Sequence, residues 1–377
     1  MNADNFRMCK RCIMDETDPD ISFDANGICN HCHSYDVNLP KRVFRGNDAE
    51  LKLHDLISAI KKSGENKEYD CIIGVSGGVD STYVALLVKD YGLRPLAVHF
   101  DNGWNSELAV SNIKRTLDTL GIDLVTYVID WEEFRSLQIA FLKASTPDGE
   151  IPTDHAISAL LFKEASSRGI KYVISGMNYA TEATGVPAWS YGHMDWKYIK
   201  AINKKYGSRK ILRYPHISFL QLAWWSLIKR IKVVSILNYV DYHKKMAMNI
   251  LRDRIGWQYY GGKHYESVYT RFFQGYVLPT KFNADKRKMH LSDLIHSGQI
   301  SRCEALNELE ENEYIDSGMY LEDKIFVCKK LGLTENEFSE IMGLKKKTFR
   351  DYPNSFIFVL MLKRIVNQLR LLGLVSK

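Results

Sequence analysis

The 377 residues carry 45% apolar and 25% charged side chains, the balance of a folded chain long enough for two or three structural units. No uninterrupted apolar run approaches the ~18 residues of a bilayer span, and the first dozen residues lack the apolar core of a secretory signal. The net charge of +6 is too small to point by itself to nucleic acid, so a cytoplasmic enzyme of several parts is the expectation.

Residues 1–45 are short of long apolar runs and hold four of the seven cysteines. Cys9, Cys12, Cys29 and Cys32 read C-x2-C-x16-C-x2-C. Thiolates two residues apart on a tight knuckle converge on one centre, and two knuckles supply four tetrahedral ligands, so the segment is read as a structural Zn²⁺ module. A [2Fe–2S] or redox role is the rival. His31 and His33 flank the second knuckle and read as neighbours rather than ligands.

Residues 46–190 alternate apolar runs with amphipathic stretches, the pattern of a doubly wound parallel α/β sheet. Cys71–Val75 reads as the first strand, with a helix from about Ser81 to Tyr91 after it. Pro95–Phe100 and Leu124–Ile129 are the next strands, then a helix from Trp131 to about Ala144. Thr153 is placed as the N-cap of a helix to Arg168, and Tyr172–Ser175 as the fourth strand.

Between the first strand and its helix lies Ser76-Gly77-Gly78-Val79-Asp80-Ser81. Glycines admit positive φ and close approach, while backbone amides and the helix dipole converge on an anion. Neither a Walker lysine nor G-x-G-x-x-G is present. Such a loop suits gripping a pyrophosphate while chemistry proceeds at the α-phosphorus. If the first and fourth strands are neighbours, Gly176 to Glu182 faces it. Asp80 and Glu182 then become the Mg²⁺ candidates, with Asp154 as a further one. His99, Phe100 and Asp101 end the second strand near adenine or ribose.

Residues 191–280 change character. From Gly192 to Arg254, 14 Lys/Arg face three Asp/Glu. Within that span Ile217–Val240 reads as a helix with a broad apolar face. Burial within the chain is its favoured role; contact with anionic lipid, docking of a glutaminase partner and RNA stacking by its tryptophans and lysines are the alternatives. Residues 281–377 read as helical, with a long apolar helix around Ser355–Leu374.

SGGVDS after a strand resembles the pyrophosphate loop of the N-type ATP pyrophosphatases (the PP-loop, or HUP-type, fold), which include GMP, NAD and asparagine synthetases and tRNA-thiolating enzymes. The combined pattern is similar to the N-acetyl sugar amidotransferases of bacterial surface-polysaccharide synthesis. It comprises ISFDANGICNHC, SGGVDS, HFDNGWNS, PTDHAI, GMNYATE and the block from Lys263 to Arg302. That resemblance implies an AMP-forming carbon–nitrogen ligase for lipopolysaccharide or O-antigen synthesis. It would use ATP and Mg²⁺, a nucleotide-linked N-acetyl sugar, and ammonia from a separate glutaminase subunit. ATP would be held by Ser76, Gly77, Gly78, Val79, Asp80, Ser81, His99, Phe100, Asp101, Gly176 and Glu182. Asp80, Ser81, Arg271 and Lys281 are the catalytic candidates, with Lys263, His264, Lys286 and Arg287 as further contacts.

The chain has no cysteine between Cys71 and Cys303, which disfavours sulfur transfer and hence the main alternative, a tRNA-modifying adenylating enzyme. A scaffold with a relic nucleotide site is the second. Nucleic acid and peripheral membrane contact are not expected.

Overall fold

The computed structural model describes residues 6–371. Helices α1 (Asn30–Arg42) and α2 (Gly46–Gly64) lead from the cysteine segment into the sheet. Five parallel strands follow: β1 (Cys71–Gly74), β2 (Pro95–Asp101), β3 (Asp123–Val128), β4 (Tyr172–Ser175) and β5 (Lys232–Ser235). Their spatial order is β3-β2-β1-β4-β5. The direction of winding reverses between β1 and β4, so the ends of those two strands open a crevice.

The connections are α3 (Val79–Asp90), α4 (Glu107–Leu120), α5 (Trp131–Ala144) and α6 (Ile151–Ser167). Alternation along the strands sorts them onto two faces. Cys71, Ile73 and Ala97 pack with Ile57 of α2, Val84 and Val88 of α3 and Ile113 of α4. Ile72, Leu96 and Val98 pack with Ala159 and Phe162 of α6.

After β4 come α7 (Trp196–Tyr206), α8 (Phe219–Ala223), α9 (Lys244–Ile255), α10 (Val268–Phe272), α11 (Lys286–His296), α12 (Arg302–Glu310), α13 (Glu313–Asp316), α14 (Met319–Leu331), α15 (Glu335–Gly343) and α16 (Phe356–Leu371). One continuous core joins Cys9 and Cys32, Trp104 and Phe134 of the sheet unit, and Phe272, Val327 and Phe338 of the C-terminal helices.

Two sequence expectations need correction. The helix expected to be capped by Thr153 begins at Ile151 with Glu150 as its cap residue. Pro152 sits in its first turn, where the missing N–H costs nothing and φ is already helical. The single helix expected over Ile217–Val240 breaks into α8, a π-turn at Trp224–Ile228, strand β5 and a 3-10 turn at Ile236–Tyr239. Lys232, Val233 and Val234 pair with Tyr172, Val173 and Ile174 of β4, so sheet pairing overrides the apparent helical period. The end of the helix expected over Ser355–Leu374, beyond Leu371, lies outside the described residues.

Candidate functional site

The glycine–serine bend links the end of β1 to the start of α3. Gly77 has φ +79°, and a Cβ there would stand 2.5 Å from the Ala109 carbonyl oxygen. A Cβ on Gly176 would stand 3.1 Å from the Asp80 carbonyl carbon. Both glycines are therefore required by close packing, the first also by its left-handed backbone. Three amides of the bend donate only to hydroxyls, and at long range: Ser76 N–H to Ser81 Oγ, Gly78 N–H to Ser76 Oγ, and Val79 N–H to Tyr260 OH, each at 3.3 Å. Phosphate oxygens, carrying charge, are stronger acceptors for the same donors. Gly77→Ala should lower thermal stability by at least about 1–2 kcal/mol from the left-handed backbone alone and abolish the rise in melting temperature on adding ATP. A variant still stabilised by ATP would show that the bend does not hold nucleotide.

A strap from Trp257 to Ser267, of which the sequence reading singled out Lys263 and His264 but not Tyr260 or Glu266, lies over this bend. The Trp257 indole N–H donates to the Gly77 carbonyl at 3.0 Å, Tyr260 reaches Val79, and the Ser106 amide donates to the Glu266 carbonyl at 2.8 Å. Nothing local marks these residues as partners of a loop 180 positions earlier. Their only signal was an aromatic cluster beside glycines.

Behind the bend, charged groups converge. The Asp80 carboxylate accepts from the Tyr242 hydroxyl, and burial together with the facing Glu182 pushes its pKa up. Burial opposes ionisation of Glu182 as well, but Lys263, 3.0 Å away, outweighs it and holds the carboxyl below its ordinary range. Lys263 also meets His290 Nδ1 at 3.1 Å, and burial beside these cations drives His290 towards the neutral form. Burial lowers Lys244 in the same way.

Of these groups, Asp80, Lys244, Lys263 and His290 border a cavity of about 460 Å³, whose lining also includes Arg271, Asp285, Lys286, Arg287, Glu308 and Glu311. Lys286 pairs with Glu150 at 2.7 Å. His264 adjoins through Glu266 at 3.7 Å. Asp154, in the first turn of α6, has Glu150, Lys286, His193 and His264 as charged neighbours.

A second cavity of about 410 Å³ lies on the β2 side, with His99, Asp101, Asn105, Lys114, Asp118 and Thr126 as its polar lining and Val110, Ile113 and Leu124 among its apolar walls. His99 Nδ1 lies 2.9 Å from the carbonyl of Val75, one residue before the bend. Phe100 is not in this cavity. It is buried against Tyr127 and Phe134, because alternate residues of a strand face opposite ways.

The two favoured catalytic cations are otherwise engaged. Arg271 lines the larger cavity but forks onto Asp323 through two 2.7 Å hydrogen bonds and lies over the Tyr265 ring. Lys281 is buried away from the site, donating to the Ile341 carbonyl. A long aliphatic stem suits that aromatic setting, and the Ile341 carbonyl takes one of the three ammonium donors.

Burial pulls the Lys281 pKa down to about 8 from 10.5. The folded state therefore binds fewer protons than the unfolded state between those values, so this lysine makes stability rise with pH there. Lys281→Met should flatten the rise and leave the melting temperature at pH 7 no lower. A large fall at pH 7 would mean that the bond to Ile341 outweighs the cost of burying charge.

In the amino-terminal segment, the sulfurs of Cys9, Cys12, Cys29 and Cys32 lie within 4.8 Å of one another and are fully buried. Separations of 3.6–3.7 Å match the ~3.8 Å edge of a tetrahedron with ~2.3 Å metal–sulfur bonds. The donor set fits a structural zinc. His31 and His33 instead meet Asp18 at 2.7 Å and Asp24 at 3.0 Å. A further imidazole missed by the sequence reading, His296, sits with Nε2 3.2 Å from Cys32 Sγ. It matches the outer-shell donors that orient metal ligands. Tyr35 of α1 donates to the Ala180 carbonyl at 3.1 Å, and Asp293 of α11 accepts from the Thr184 amide and hydroxyl. The cysteine module, through Tyr35, and α11, through Asp293, thereby brace the loop that carries Glu182.

Residues 266–366, about a quarter of the chain, match the family described as "LPS biosynthesis protein WbpG-like, C-terminal domain". An uncharacterized protein of Methanocaldococcus jannaschii is 25% identical over 174 residues, 45% of this chain and 58% of that protein. The glutamine-hydrolysing GMP synthase of Pyrobaculum aerophilum is 32% identical over 146 residues, 38% of this chain and 26% of that enzyme. The chain thus spans less than two thirds of either relative. An ammonia-dependent NAD synthetase from Campylobacter jejuni overlays with a TM-score of 0.28 at 18% identity, covering 55% of this chain and 94% of that one. That overlay is too loose to argue from.

Proposed function

We propose, on the premise that a WbpG-like lipopolysaccharide-biosynthesis C-terminal domain here faces a pyrophosphate-binding sheet edge, that this chain is an ATP-dependent amidotransferase acting on a nucleotide-linked N-acetyl sugar. The observation that carries the reading is one cavity lined both by Asp80, from the helix that follows the bend, and by Arg271, Lys286 and Arg287 of the family-matched segment. Five cations, Lys244, Lys263, Arg271, Lys286 and Arg287, line it against four carboxylates, Asp80, Asp285, Glu308 and Glu311, and a nucleotide sugar brings negative charge that the cations can meet.

In this reading the amides of Ser76, Gly78 and Val79 grip the β,γ-phosphates at the start of α3, and the aliphatic slot beside His99 and Asp101 takes the nucleoside. Asp80 and Glu182 are the carboxylates suited to Mg²⁺, which when bound neutralises phosphate charge. The acetamido oxygen attacks the α-phosphorus, the bond to the bridging oxygen breaks, and pyrophosphate leaves. Ammonia adds to the imidate carbon of the O-adenylyl intermediate; the C–O bond then breaks, AMP departs, and a proton passes to solvent to leave the acetamidino group. Activation of so weak a nucleophile rests on in-line positioning and charge neutralisation rather than on a general base.

Sulfur chemistry is disfavoured because no cysteine lines the larger cavity among the described residues, and Cys71 is buried in β1 with its thiol pKa pushed up by burial. Zinc in the four-cysteine cluster would be structural, and the ammonia would come from a separate glutaminase. The test is to incubate the protein with ATP, Mg²⁺, ammonium and a panel of UDP-N-acetyl sugars. Sugar-dependent release of AMP and pyrophosphate is expected, with one sugar gaining the mass of an oxygen-to-NH exchange. AMP release that depends on tRNA and ignores every sugar would overturn the reading.

A further inference from the structure

Segment 219–232 is apolar on both sides. Inward, Leu222 and Trp225 pack on the sheet's outer layer, with Trp225 stacked on Phe162 of α6 at 5.9 Å. Outward, Leu220, Trp224, Leu227 and Ile228 recur every three to four residues and are 83%, 54%, 74% and 61% exposed. The inward contact already anchors the segment, and among the described residues the outward side chains are left uncovered.

The same surface continues onto the start of α16. Phe219 meets Phe358 edge-on at 5.5 Å, and Ile357 and Met361 beside it are 67% and 55% exposed. An apolar surface shared by two separate elements differs from the scattered exposed leucines of ordinary proteins.

Charge identifies the occupant. Residues 196–240 contain ten Lys/Arg and no Asp or Glu; residues 355–377 contain four and none. Lys229, Arg230 and Lys232 follow the apolar turn directly and are exposed. None of the three pairs with a carboxylate among the described residues. Protein interfaces are depleted in lysine. Exposed aliphatics and a tryptophan rimmed by unpaired cations are the make-up of surfaces that lie in the plane of an anionic bilayer. No helix among the described residues is long and apolar enough to cross one.

We propose that this face docks on anionic membrane, with Leu220, Trp224, Leu227 and Ile228 inserted at the level of the acyl-chain boundary and Lys229, Arg230 and Lys232 among the headgroups. The inference stands apart from the catalytic reading, and either can fail without the other.

The full chain is floated with vesicles of phosphatidylcholine alone and of phosphatidylcholine containing about one third phosphatidylglycerol. Flotation is expected only with the anionic vesicles and should decline as salt rises. Leu227→Glu with Ile228→Glu should weaken it at least tenfold, on the order expected for lost apolar insertion. Lys229→Glu, Arg230→Glu and Lys232→Glu together should weaken it about 100-fold. All these residues are exposed, so unchanged melting temperatures are expected and separate lost docking from misfolding. Absence of flotation, or equal flotation of the variants, overturns the proposal. So does a dimer in sedimentation velocity that Leu227→Glu with Ile228→Glu disperses, which would assign the face to a second copy.

Discussion

Asp80→Ala should reduce ATP-dependent AMP release by about 100- to 1000-fold, the usual scale for losing one preorganised charge at a reacting phosphate. The fold should not suffer. Burial and then the facing Glu182 raise the Asp80 pKa, so its contribution to stability is full below the unfolded value and lost as pH rises through the folded one. At neutral pH the carboxylate is therefore a cost to the folded state, and removing it should leave the melting temperature unchanged or higher. This combination of lost turnover with kept stability distinguishes a residue placed for phosphate chemistry from one that holds the loop together. Undiminished turnover would remove Asp80 from the reaction, and a large fall in melting temperature would mark it as structural.

Cys12→Ser should have the largest effect on the fold. Three thiolates cannot close a tetrahedral shell, and structural zinc supplies on the order of 10 kcal/mol or more of binding energy to small modules. Loss of bound metal, measured by elemental analysis, should therefore come with several kcal/mol of lost stability. The damage should reach the crevice, because Tyr35 holds Ala180 and Asp293 holds Thr184 on either side of Glu182. Faster amide exchange at residues 178–184 is the expected sign. A soluble, active, metal-free variant would refute the structural assignment of the cluster.

What could be read from the sequence follows the range of the interactions involved. Cys9, Cys12, Cys29 and Cys32 were legible because ligand spacing is local. β1, β2 and β4 were legible because short apolar runs that end in turn residues are buried on both faces; β3 is an exposed edge strand and was legible from its β-branched and aromatic run alone. Ile217–Val240 was not. Its apolar residues serve an inner layer and an exposed face at once, which erases the periodicity that separates helix from strand.

Arg271 and Lys281 show a different limit. Their aromatic neighbours correctly signalled enclosure, but their partners lie 52 and 60 residues away, and no local pattern tells a structural tether from a substrate contact. Tyr242 and Trp257 reach the bend across 162 and 180 residues, and Glu182 finds Lys263 across 81. The bend itself is local; what surrounds it is assembled by the return of the chain.

The manner in which the amino-terminal module is fastened bears on how the protein is made. Ile13 donates its amide to Ser292, Lys288 reaches Asp15, and Arg302 donates to the carbonyls of Cys9 and Cys12. Separations of 273 to 293 residues mean that this segment must wait until those residues have been made before it can dock. Its thiols stay exposed to solvent and to competing metals during that interval, unless ion capture comes first. Long-range closure of this kind is slow, so the yield of native protein in cells should depend more on metal supply during synthesis than on metal added afterwards.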